Sequence, residues 1–215
     1  MSWEVGAWVI STLKKLLETH GTQTFTSDGT FTVPAGVTKI WVTAFGAGGG
    51  GDRYDIGSGQ GGDRVIKKVY SVVPGTSIPI TIGKGGAKAS DGGATVIGNI
   101  VTLAGGGKGG SPKSHSGSLG GPENMNGMDS PMANGGLRGS DSYYDGRTYD
   151  GGGGGGGGYG RGGNGGYGTA SGDSYAGNGE NGGIGAGGGA GGSATANKYD
   201  GIGGKGGDGI VIIEW

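Results

Sequence analysis

Alternation and helical spacing divide the first half of the chain cleanly. Val5, Val9, Leu13, Leu16 and Leu17 recur on one helix face, Ser2 is placed to cap it and Gly21 to stop it, which predicts a helix over residues 2–20. Trp3 and Trp8 widen the apolar stripe, and Lys14 and Lys15 fall toward the C-terminal half, where cations suit the macrodipole. Such a stripe packs on its own domain, docks to a partner or self-associates. Its place ahead of all the glycine makes residues 1–21 a natural attachment segment, with Trp3, Trp8, Val9, Leu13, Leu16 and Leu17 as the contact residues.

A β pattern follows. Residues 23–33 (QTFTSDGTFTV) alternate Phe and Thr around Ser27-Asp28-Gly29, a hairpin signal. Residues 37–45 (VTKIWVTAF) alternate again after the Pro34-Ala35-Gly36 turn, and residues 64–73 (RVIKKVYSVV) run to Pro74-Gly75. Short apolar segments at 77–82, 94–97 and 99–103 are each bounded by turns, and the chain closes on GIVIIEW (209–215). Isoleucine- and valine-rich strands at both ends predict a framework over residues 22–104, closed by strand 209–215.

Between them glycine dominates, though unevenly. Tight runs at 105–110, 151–158, 160–168, 182–192 and 203–207 alternate with segments of another kind, notably 111–134, 137–150, 169–176 and 193–200. A glycine run can adopt the three-residue polyproline II helix, in which N–H and C=O project sideways without an internal partner. Parallel-packed runs satisfy one another, because no Cβ keeps the backbones apart. Eight glycines would span about 25 Å. The expectation for residues 105–208 is therefore a slab of polyglycine II helices, with bulky residues pushed outward or into the joining turns. If neighbouring helices are antiparallel, alternate turns gather at one edge.

Composition narrows the classes. Glycine supplies 64 of 215 residues against a usual share of about 7%, yet six prolines and the broken Gly-X-Y register exclude collagen. Apolar β segments bracket the glycine, unlike a uniform flexible linker. A net charge of −1 supplies no field favouring nucleic acid. The absence of cysteine removes disulfides and thiolate metal sites. The N-terminus lacks the basic start and long apolar core of a signal peptide, and no stretch approaches transmembrane length, so no membrane insertion is expected.

Candidate chemistry lies in the interruptions. GSDSYYDGRTYD (139–150), SGDSYAG (171–177) and ATANKYDG (194–201) combine Tyr with Ser, Asp, Asn, Gly and Arg, the composition of adaptable binding loops. Tyr143, Tyr144, Asp145, Arg147, Tyr149, Tyr175, Lys198 and Tyr199 are the contact candidates, with Tyr54 of GDRYDIGSG (51–59) on the same surface. Tyr159 and Tyr167, lodged within glycine runs, are expected to cover the slab. His115 and His20 lack companions for a metal site, and no cofactor is implied. The many Gly-x-Gly-x-x-Gly matches lack the strand–turn–helix context of a dinucleotide site. Residues 203–211 fit one copy of a calcium-binding nonapeptide that requires tandem copies. With no nucleophile paired to a base, no enzymatic activity is expected.

Residues 31–51 (FTVPAGVTKIWVTAFGAGGGG), Val-Pro-Gly at 73–75, ITIGKGG (80–86) and GIVII (209–213) together resemble the glycine-rich tail-fibre domain of phages and prophages. In composition and layout the later half is similar to the polyglycine-sandwich adhesins at the fibre tips of T-even phages. That resemblance implies a mainly β fold with an inserted glycine slab and a host-adhesion role. The loops would bind a protein or glycan receptor on a bacterial surface, and the N-terminal segment would join the fibre or a second copy. The place implied is the virion tail fibre, extracellular after host lysis. Two other classes compete. A fibre joint or spacer would not need its loop tyrosines for host binding, and a glycine-slab antifreeze protein would present a flat, regular face of small residues.

Overall fold

The computed structural model describes residues 6, 9–12, 20–52, 57–109, 129–138, 140, 142–144, 147–149, 152, 155–169, 175–194 and 200–215. The protein is mainly β, with a short N-terminal helix represented by residues 6 and 9–12. Trp3, Trp8, Leu13, Leu16 and Leu17 lie outside the described residues.

Two four-stranded antiparallel sheets form a sandwich. One has the order β1-β10-β3-β4, from Thr22–Phe25, Ile210–Glu214, Lys39–Phe45 and Arg64–Ser71. The other has the order β2-β5-β6-β7, from Gly29–Thr32, Ser77–Thr81, Thr95–Ile97 and Val101–Leu103. Alternation sends Ile40, Val42 and Ala44 of β3 and Val211 and Ile213 of β10 into one core with Phe31, Ile78, Ile80, Ile97 and Leu103 of the facing sheet. β10 lies between β1 and β3, pairing Phe25 with Val211 and Phe45 with Ile210.

The Ser27-Asp28-Gly29 turn corrects the sequence expectation. β1 pairs with β10 and β2 with β5, so this turn carries the chain between sheets and closes no hairpin. Both flanking strands still point a phenylalanine inward, Phe25 and Phe31. The Asp28 carboxylate accepts from the Ile82 N–H at 2.8 Å, which ties the crossing to the opposite strand.

Glycine segments grow directly out of the strands. β3 runs on into residues 46–52, residues 57–63 lead into β4, β5 leads into 83–86 and 90–93 lead into β6. β7 likewise continues into 104–109, and 200–209 lead into β10. These segments join no ladder. Their backbone hydrogen bonds change partner at each residue and return to the same neighbour every third. Gly46, Gly49 and Asp52 donate to Asp63, Gln60 and Gly57; Ala47 and Gly50 donate to Gly93 and Ser90; Gly48 and Gly51 donate to Gly207 and Gly204, all at 2.8–3.2 Å. The carbonyls of the same segment accept from Gly86 and Ala89, from Gly106 and Gly109, and from Gly188 and Gly191. Residues 46–52 are thus surrounded by bonded backbone on all sides. Residues 185–193 are enclosed in the same way, by segments 46–52, 57–63, 155–158, 160–169, 177–183 and 201–207.

Close approach explains why glycine is required. A Cβ on Gly48 would lie under 3.0 Å from the Ala186 carbonyl group and the Gly187 nitrogen, and one on Gly188 equally near Gly204 and Lys205. Where side chains do occur in these segments, many sit three apart on an outer face: Arg161, Asn164 and Tyr167; Asn178, Asn181 and Ile184; Ile202, Lys205 and Asp208. Several also complete the rim. Asn178 and Asn181 oxygens accept from the Ile202 and Lys205 N–H groups at 2.9 and 2.8 Å, in place of a missing neighbouring backbone.

Candidate recognition surface at the end of the slab

The hydrogen bonds fix the direction of every glycine segment. Residues 46–52, 104–109, 134–140, 160–169 and 185–193 run away from the sandwich, whereas 57–63, 152–158, 177–183 and 200–207 return toward it. At the sandwich end the connections are short: Gly158 N–H donates to Gly160 O at 2.9 Å, and Ala186 N–H to Gly183 O at 2.9 Å. There the Phe45 ring, fully buried, meets Tyr159 edge-on at 5.9 Å.

At the far end the feet of the long interruptions come together. Gly191 N–H donates to Asp52 O, Gly192 to Gly177, Gly201 to Gly192, Gly177 to Tyr167, Gly168 to Ser140 and Thr169 to Ser193. Gly152 donates to Gly166, and Gly109 donates to Gly50 one turn from Asp52. Residues 53–56, 141–151, 170–174 and 195–199 therefore leave and re-enter the slab at this one end. Residues 110–128 start there, and the chain is next described beside Gly158, where Ser130 Oγ donates to the Gly158 carbonyl.

These connections contain the predicted contact residues. Tyr54, Asp145, Lys198 and Tyr199 lie outside the described residues. Tyr143, Tyr144, Arg147 and Tyr149 belong to a two-stranded antiparallel hairpin absent from the sequence expectations, β8 (Ser142–Tyr144) and β9 (Arg147–Tyr149). Its register pairs Ser142 with Tyr149, Tyr143 with Thr148 and Tyr144 with Arg147. Asp145-Gly146, a strong two-residue hairpin signal between Ser/Tyr/Thr runs, was the clue. Tyr175 is exposed on the foot of the next connection. Tyr167 is exposed on the opposite foot, with its ring edge against Gly177, where a Cβ would meet it at 2.5 Å.

The acid of the nonapeptide pattern is occupied structurally. Asp208 accepts from Gly85 N–H at 2.7 Å and from Lys84 Nζ at 3.0 Å. The backbone hydrogen bond is the main cause that holds its pKa below the usual aspartate value, opposed by desolvation and helped by Lys84. A depressed carboxylate pKa contributes stability that is present above about pH 4 and lost as pH falls through the folded value. Asp208→Asn is therefore expected to flatten the acid limb of stability, measured by urea unfolding between pH 2 and 5. An unchanged limb would rule out this contribution.

The sequence model of one family, described as a glycine-rich domain, matches residues 22–215, and the chain belongs to that family. No curated protein matches the chain significantly.

Proposed function

We propose that this member of the glycine-rich domain family is a phage tail-fibre tip adhesin, which binds a bacterial surface receptor through the connections at the far end of its slab. The observation that carries the proposal is the gathering of the loop feet there, remote from Gly21, where the chain enters the sandwich beside Trp215. In this proposal the glycine segments are polyglycine II helices. Their three-residue hydrogen-bond recurrence and the lack of room for a Cβ support that assignment. A stiff support of this kind presents tyrosine-rich loops that lose little further freedom on binding. The outer slab face carries Arg161, Tyr167, Ile202 and Lys205, unlike the small-residue face of an ice binder.

The test is binding of the labelled, purified full chain to a panel of bacterial strains. Replacing residues 139–150 by Gly/Ser of equal length is expected to lower binding to a responsive strain at least about tenfold, the scale of a lost hot spot. Val73→Ser, at the exposed base of the sandwich, is expected to leave binding unchanged. Binding that survives the loop replacement would overturn the proposal and favour a spacer role.

A further inference from the structure

The pole opposite the loops holds an open aromatic groove. On the outer face of the β1-β10-β3-β4 sheet, Trp41 is paired with Val69 of β4 and with Glu214 of β10. Trp41, Val69 and the nearby Ile66 are 41%, 48% and 39% exposed. The groove, about 530 Å³, is lined by His20, Thr22, Trp41, Lys67, Glu214 and Trp215. A β-bulge opposite Val42 and Ala44 shapes its rim. Lys67 sits there at φ 49°, with its N–H bonded to Thr43 Oγ1 at 3.1 Å and its Nζ reaching Glu214 Oε1 at 3.0 Å. Bulges of this kind re-aim a side chain, here across the sheet to leave the indole of Trp41 uncovered.

A second open surface belongs to the same chain. Val9, Ile10, Ser11 and Thr12 turn through most of a helical circuit, and all four are exposed, as is Gly6. At these residues the helix packs against nothing in its own copy. Yet it carries the apolar stripe, and the chain leading from it arrives at His20, in the wall of the groove. Helix and groove are thus joined by only residues 13–19, and neither covers the other within one molecule. Eight residue steps separate Thr12 from His20 and reach at most about 28 Å, so the helix cannot stray far from the base.

We propose that the two surfaces meet between copies: the N-terminal helix of one chain lies in the Trp41 groove of a second, closing a symmetric homo-oligomer at the base. Helix-in-groove docking suits an amphipathic stripe against an aromatic trough. Reciprocal exchange makes each copy both donor and acceptor, which terminates assembly. The inference is independent of the adhesin proposal, since it concerns the opposite pole.

The experiment uses the full chain and its mass in solution. The unaltered protein is expected to sediment above its 20.7 kDa chain mass. Deletion of residues 1–19, or Trp41→Lys with Val69→Lys, is expected to give monomer. Because the chain contains no cysteine, a second measurement does not depend on those variants folding. Val9→Cys and Val69→Cys proteins, mixed and oxidised, should form a disulfide-linked species of doubled mass. A monomeric native chain would overturn the proposal. So would an oligomer that survives the Trp41/Val69 pair, or cross-linking of the Val9→Cys protein alone as strong as that of the mixture.

Discussion

Gly48→Ala is expected to cost about 4 kcal/mol or more, by far the largest effect of any single methyl group in this protein. Overpacking alone costs about 1–3 kcal/mol. Here the added Cβ meets main chain, the Ala186 carbonyl and Gly187 nitrogen, which no rotamer change relieves. Segments 46–52 and 185–193 must move apart, which breaks the Gly188–Gly49 and Gly191–Asp52 bonds between them, each worth about 1 kcal/mol net. At about 2–4 °C per kcal/mol for a chain of this size, Tm should fall by roughly 10–15 °C. Gly188→Ala should behave alike, because its Cβ meets Gly204 and Lys205 backbone. Gly6→Ala is the control: nothing lies within 4 Å, so the main transition should not move. A Gly48→Ala protein melting within about 2 °C of the original would refute the close packing of these segments.

Removal of residues 210–215 is expected to abolish cooperative folding. β10 is interior to its sheet, so its loss separates β1 from β3 and takes Val211 and Ile213, both fully buried, out of the core. Ile213→Ala grades the same effect at about 2–5 kcal/mol, the range for a buried isoleucine truncation. Urea unfolding followed by tryptophan fluorescence reads both, through Trp41 and Trp215. A truncated chain with a sharp transition near the original midpoint would contradict the placement of β10. One kinetic consequence follows for synthesis: neither the sandwich nor the glycine array, which needs residues 200–207, is complete until the last strand is made.

Period-two alternation made the strands legible, because burial on one face repeats along the sequence. Their partners were less so. Thr-Phe alternation on either side of Ser27-Asp28-Gly29 fits a hairpin and a sheet-to-sheet crossing equally well. What decides is Asp28 accepting from Ile82, a residue far along the chain. In the glycine segments the difficulty is deeper. A residue without a side chain carries no record of its neighbour, so register among 46–52, 185–193 and 201–207 follows from where each segment leaves its strand or turn. The outer face is the exception, since Arg161, Asn164 and Tyr167 keep the three-residue spacing in the sequence itself. The tyrosine-rich interruptions were recognisable as binding-loop material. That 53–56, 141–151, 170–174 and 195–199 share one end depends on the direction of each segment, which composition does not carry. The β8–β9 hairpin was overlooked because Asp145-Gly146 is one glycine signal among dozens.

The lateral hydrogen bonds also have a mechanical meaning. The chain enters the sandwich at Gly21 and its long loops leave from the opposite end, so traction between a tethered base and a gripped tip runs along the glycine segments. Bonds that cross this axis are strained side by side in shear, and many must rupture together before one segment slides past another. A hairpin pulled open from its end would instead yield bond by bond. Fastened at its base and held by its loops, the molecule is built to resist stretching, and under tension the helical tether before Gly21 should yield before the slab does.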